Sequence, residues 1–131
     1  MIVLDTHVWL WWLHNPEHLS SAAAELIQKE EQLDGLMVSV ISVWEVAVKV
    51  QMGKLVLPLE IGAWFSAAQS YPGLTIKPLH PEDAIESTRL PGDLHKDPAD
   101  RIIVALTRRY GLQLVTCDRK LLNYEHVLTV W

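Results

Sequence analysis

Apolar residues gather along this chain in short runs separated by helical patterns. Residues 2–4, 36–41, 74–79, 112–116 and 127–130 read as strands. They are apolar almost throughout, as expected of strands covered on both faces. Between them, Ala-rich 20–31 opens on serines suited to capping a helix. Val43, Val46, Ala47 and Val50 recur at the i, i+3, i+4, i+7 spacing of one helical face and predict a helix over 42–52. Residues 60–70 and 81–88 are further candidates, the second with Pro81 at a first-turn position. In 98–110, Ala99, Ile102, Ile103, Leu106 and Tyr110 form one apolar stripe, which Gly111 ends. Strands alternating with helices predict an α/β fold, a mainly parallel sheet with helices on both faces. In such folds ligands bind beyond the carboxyl ends of the strands.

Carboxylates fall at those ends. Asp5 follows the first strand, Glu45 lies a turn beyond the second, Asp97 and Asp100 open the long helix, and Asp118 comes two residues after Thr116. Each has an ordinary structural explanation. Ser42 and Glu45 match a capping box, Glu45 and Lys49 an i, i+4 ion pair, and Asp97-Pro98-Ala99-Asp100 a helix opening facing the positive dipole end. Together they need another account. Carboxylates ~4 Å apart repel by about 1 kcal/mol in water and about 4 kcal/mol at an effective dielectric of 20, so a cluster is costly unless protonated or bound to a cation. Oxygen ligands favour hard ions such as Mg²⁺ or Mn²⁺.

Composition narrows the class. The chain has 131 residues, half of them hydrophobic and 21% charged, which predicts one domain over 1–131. The longest uninterrupted apolar run, 8–13, is far short of the ~20 residues needed to span a bilayer. Asp5 interrupts the apolar opening, which therefore does not read as a signal peptide, and a single cysteine, Cys117, fits a reducing compartment. A cytoplasmic location is expected, with no membrane partner. The net charge of −5 is a poor match to nucleic acid unless several acids share a cation.

The motifs Ile2-Val3-Leu4-Asp5-Thr6-His7, Ile41-Ser42-Val43-Trp44-Glu45-Val46-Ala47-Val48-Lys49, His95-Lys96-Asp97-Pro98-Ala99-Asp100-Arg101 and Leu114-Val115-Thr116-Cys117-Asp118 resemble PIN-domain toxins of the VapC type, in the same order and over essentially the whole chain. The resemblance implies a three-layer αβα sandwich and metal-dependent RNA cleavage leaving a 5′-phosphate and a 3′-hydroxyl. It matches Asp5, Glu45, Asp100 and Asp118 to the family's four acids, with Mg²⁺ or Mn²⁺ held by the first three and Asp118 serving a second ion or a water. Asp97 is accessory by helix register, and Thr116 matches the family's hydroxyl residue beside the site. Thr6 could orient Asp5 but is favoured as a residue at the helix start. The resemblance further implies an RNA substrate, a homodimer and a cognate antitoxin lying across the active-site groove.

Lys49 and Arg101 are weaker candidates for substrate phosphate. His95 and Asp97 form an HxD pattern, but no Cys/His grouping supports zinc; His7 reads as a packing residue, and the other histidines as surface or loop positions. Trp9, Trp11, Trp12, Trp44, Trp64 and Trp131 read first as core and second as interface. An aspartate-nucleophile phosphatase would want an acid where His7 stands, and a phospho-receiver would want paired acids near the first strand. The remaining alternative is a PIN-like RNA- or protein-binding module that no longer cuts.

Overall fold

The computed structural model describes Met1–Trp131. Strands β1 (Ile2–Leu4), β2 (Leu36–Ser39), β3 (Leu74–Lys77), β4 (Gln113–Val115) and β5 (Leu128–Val130) alternate with helices α1 (Thr6–His14), α2 (Ser21–Glu31), α3 (Val40–Gln51), α4 (Ile61–Gln69), α5 (Pro81–Ser87), α6 (Pro98–Arg109) and α7 (Arg119–Leu122). The five strands form one sheet in the order β3-β2-β1-β4-β5. Every neighbouring pair is parallel, and Val3 is in register with Met37 on one side and Leu114 on the other.

Parallel neighbours need crossovers, which the helices supply. The chain steps outward from β1 to β2 to β3, then returns across the sheet to β4 and β5. The order therefore reverses between β1 and β4, and that crevice is where such sheets bind ligands.

The period of two along a strand divides the interior. Ile2, Leu4, Leu36, Val38 and Val115 enter one core with Val8, Trp9, Ala23, Ile27, Val46 and Trp64 from α1 to α4. Val3, Met37 and Leu114 enter the other with Ile103, Val104 and Leu106 of α6 and Leu121 of α7. Each fully buried aliphatic side chain contributes roughly 1.5–3 kcal/mol of hydrophobic stabilisation. The continuous apolar runs follow directly: both faces of the strands are covered, giving three layers. No helix is long and apolar enough to cross a membrane.

Several expectations shift. The second strand ends at Ser39, and α3 begins at Val40, where the spacing predicts a helix from 42. Ser39 caps it, accepting from the Ile41 amide at 3.2 Å, so the capping-box explanation of Ser42 and Glu45 fails. Gly111 does end α6, with φ of +64°, a conformation costly for residues bearing a Cβ. The short α7 has too little sequence for a periodic pattern and is absent from the sequence reading.

The tryptophans divide. Trp9 and Trp64 are core, their ring centroids 5.2 Å apart, whereas Trp44 is 58% exposed on α3. Trp9→Ala should cost about 3–5 kcal/mol in urea unfolding, and Trp44→Ala less than about 0.5 kcal/mol under dilute conditions. Equal costs would contradict this division of the core.

Candidate active site

Asp5 is the first residue beyond β1, at the crevice. Its amide donates to the Val115 carbonyl at 3.0 Å, tying it to β4. Its carboxylate caps α1: Oδ1 accepts from the Thr6 amide at 2.8 Å, and Oδ2 accepts from Thr116 Oγ1 at 2.7 Å. Asp5 and Thr116 are both buried. Thr116 Oγ1 also accepts from the Asp118 amide at 3.1 Å, so one hydroxyl fixes Asp5 and the start of the chain segment carrying Asp118. Asp118 then caps α7, its Oδ1 accepting from the Lys120 amide at 2.8 Å.

Glu45 arrives from α3. Thr6 Oγ1 lies 2.5 Å from Glu45 Oε1 and 2.7 Å from Ser42 Oγ. Thr6 therefore does more than start a helix: its hydroxyl meets Glu45 while its amide holds Asp5. Ser42 is missed as a site residue. The available signal was its position three residues before Glu45, which puts both on one helical face.

Asp100 sits in the first turn of α6. Asp97 is that helix's N-cap, accepting from the Asp100 amide at 3.0 Å. His95, noted in the sequence only as half of an HxD pattern with Asp97, has Nε2 2.6 Å from Asp100 Oδ2. No periodicity announces a contact from an irregular segment to a helix start. Arg101 turns away from any substrate role: its guanidinium donates to the Ser87, Leu94 and His95 carbonyls at 2.7, 2.8 and 3.3 Å, bracing the segment that carries His95. Lys49 forms no ion pair with Glu45; its Nζ lies 3.3 Å from Nε2 of His7, which is exposed rather than packed.

The carboxylates feel one another. Burial pushes Asp5 above the usual carboxylate range despite hydrogen bonds from Thr116 and Thr6, and Asp118 pushes it further. Burial also raises Glu45; the Thr6 hydroxyl opposes this, while Asp5 and Asp100 add to it. Asp100 is pushed up to about 6, chiefly by burial, with repulsion from Asp5 and Asp97 reinforcing the shift and His95 opposing it. Partial desolvation of the ring and the adjacent Lys49 push His7 below the usual imidazole range, with Asp5 and Asp118 opposing.

No three Asp, Glu, His or Cys side chains close on one point as a complete protein metal shell would. The donors nevertheless suit Mg²⁺ or Mn²⁺: they are carboxylate oxygens, their charges are mutually destabilising, and Mg²⁺ typically retains several waters while taking only one or two carboxylates. An all-oxygen set with His95 turned onto Asp100 gives no basis for zinc.

The PIN domain family model matches residues 2–127. The chain belongs to the PIN domain family. Across 132 aligned residues this PIN domain is 33% identical to Ribonuclease VapC22 of Mycobacterium tuberculosis, covering 99% of this chain and 98% of that protein. It is a VapC-type ribonuclease relative. The fold is shared with VapBC2 from Rickettsia felis bound to a promoter DNA fragment, at a TM-score of 0.72 and 14% identity over 99% of this chain and 98% of that one. It is likewise shared with DNA-bound VapBC from Salmonella typhimurium, at 0.71 and 18% over the same shares. The sarcin-ricin-loop-cleaving toxin VapC20 of Mycobacterium tuberculosis matches at 0.62 and 12%, over 98% of this chain and 99% of that one.

The raised Asp100 has a measurable consequence. An acid whose pKa rises on folding, here from 3.8 to about 6, contributes stability fully present below the unfolded value and lost as pH rises through the folded one. In EDTA, Asp100→Asn should therefore raise Tm by several degrees at pH 8, reflecting on the order of 1–3 kcal/mol, and the gain should vanish by about pH 4. A pH-independent difference would contradict the assigned shift.

Proposed function

We propose that this chain is a single PIN domain that hydrolyses RNA phosphodiester bonds with a divalent cation, Mg²⁺ or Mn²⁺, as the toxin of a toxin–antitoxin pair in the cytoplasm. The observation that carries the reading is the set of acids around one sheet edge, each with its own donor: Thr116 and the Thr6 amide on Asp5, the Thr6 hydroxyl on Glu45, and His95 on Asp100. Helix caps alone would not need Thr6 to bridge to Glu45 or Thr116 to bridge two strands. Relatedness to a named ribonuclease supports the same conclusion.

Asp5, Glu45 and Asp100 would hold the cation, with Asp118 at the outer edge. When bound, that ion supplies charge neutralisation at the phosphate and lowers the pKa of a coordinated water. The chain's own residues do the positioning. Thr116 and the α1 N-terminus fix both oxygens of Asp5, Thr6 sets the Glu45 rotamer, and His95 holds Asp100 against α6. Lys49 is available to a substrate phosphate. Asp97 shapes the helix that presents Asp100.

Partners follow from the same reading. VapBC structures among the fold neighbours support a cognate antitoxin. Homodimerisation would cover the exposed Trp44.

Cleavage of a mixed RNA pool with Mg²⁺ or Mn²⁺ tests the activity. Wild type should cut, EDTA should abolish cutting, and Asp5→Asn should reduce it by at least about 100-fold. Activity in EDTA or in folded Asp5→Asn would overturn the mechanism, whereas RNA binding without cutting by wild type would favour the inactive binding module. Thr116→Val, close in shape but without the donor, should lose about 10–100-fold and recover partly at higher metal concentration. Undiminished activity would mean that the hydroxyl positions nothing.

A further inference from the structure

A cavity of about 530 Å³ lies between α1 and the segment joining α3 to α4. His7, Trp11, Lys49, Lys54, Leu55 and Leu57 help line it, and none of its lining residues is Asp or Glu. In a chain of net charge −5, this pocket carries two ammonium groups and no carboxylate. Its inner wall is continuous with the carboxylate site. His7 is two residues from Asp5, Lys49 is one helical turn beyond Glu45, and the two side chains meet at 3.3 Å. The rings of His7 and Trp11 are 6.0 Å apart, inclined at 51°.

Positive charge interleaved with ring faces is how single-stranded nucleic acid is held without extensive base-edge readout: phosphates meet the cations and bases stack on the rings. The apolar side walls would exclude water from a stacked base. A wholly apolar protein segment would leave Lys49 and Lys54 uncompensated, so charge complementarity favours a polyanion. The volume suits one nucleotide, and the shared wall puts it next to the acids where a phosphodiester would be cut.

We propose that this cavity is a subsite for a nucleotide flanking the cleaved bond of single-stranded RNA, with Trp11 and His7 receiving the base, Lys54 a phosphate, and Lys49 the phosphate nearest the acids. The inference rests on the ribonuclease reading and adds substrate selection to it. Trp11 and Lys54 are specificity residues; neither takes part in bond cleavage.

The test uses a panel of short fluorogenic single-stranded RNAs that vary the bases around the cut. Exposed Lys54→Glu should raise KM at least about fivefold with kcat within about twofold, and lower the slope of log affinity against log salt by about 0.7. Trp11→Ala should also raise KM and flatten the base preference at one flanking position, while Trp11→Phe, which keeps a ring, recovers most of both. Lys29→Glu on α2 should change neither. In parallel, fluorescence anisotropy on Asp5→Asn, with and without Lys54→Glu, reads RNA binding in the absence of cutting. If wild type cuts RNA but KM and base preference are unmoved in Lys54→Glu and Trp11→Ala, the subsite is wrong, the nuclease reading stands, and the groove is left to a protein segment. If RNA is bound but never cut and Lys54→Glu weakens the binding, the subsite survives and the nuclease reading fails. If RNA is neither bound nor cut, both fall.

Discussion

One hydrogen bond, from Thr116 Oγ1 to Asp5 Oδ2 at 2.7 Å, spans the two strands between which the sheet order reverses. It opposes the upward shift that burial imposes on the Asp5 carboxyl. The same hydroxyl accepts from the Asp118 amide, and the Thr6 side chain next to Asp5 reaches Glu45. Three chain segments that share no local sequence are thus registered against one carboxylate. Loosening that bond would disturb Asp5, the entry to α7 and, through Thr6, the orientation of Glu45.

The fold makes this registration possible because its two cores grip alternate residues of the same strands. Val3 is locked into one core while Ile2 and Leu4 are locked into the other, which leaves the position of Asp5 little freedom. The helices then deliver acids with their own caps: α6 brings Asp100 with Asp97 at its start, and α7 begins on Asp118. Structural and functional explanations of these acids are therefore not rivals. A cap fixes a carboxylate-bearing segment, and the segment's position at the sheet edge makes that carboxylate available to a cation.

Much of this was legible in the sequence, and the parts that were not share a cause. The continuous apolar runs announced strands covered on both faces, and the acids following them lie, as read, beyond the carboxyl ends of the strands. Periodicity found α3 but placed its start late, because Val40 and Ile41 continue an apolar run that also reads as strand; Ser39, not Ser42, is the cap. The opening Asp97-Pro98-Ala99-Asp100 read as a helix start, and Asp97 is indeed the N-cap of α6 with Asp100 in its first turn. Long-range side-chain contacts left no local pattern. The Thr6–Glu45 bond crosses 39 residues, and the His95–Asp100 bond joins an irregular segment to a helix. Arg101 looked free because the carbonyls that hold it belong to the 87–95 stretch, whose path cannot be read from periodicity.

The central claim is that the gathered acids are a cation site and not merely a set of caps. Titrating Mn²⁺ into the protein under electron paramagnetic resonance, beside Asp5→Asn and Glu45→Gln, tests it without relying on any RNA substrate. Saturable loss of the free Mn²⁺ signal in wild type, weakened at least about tenfold in both variants, is the result this account predicts. Failure of the wild-type protein to take up Mn²⁺, or equal uptake by all three, would contradict it.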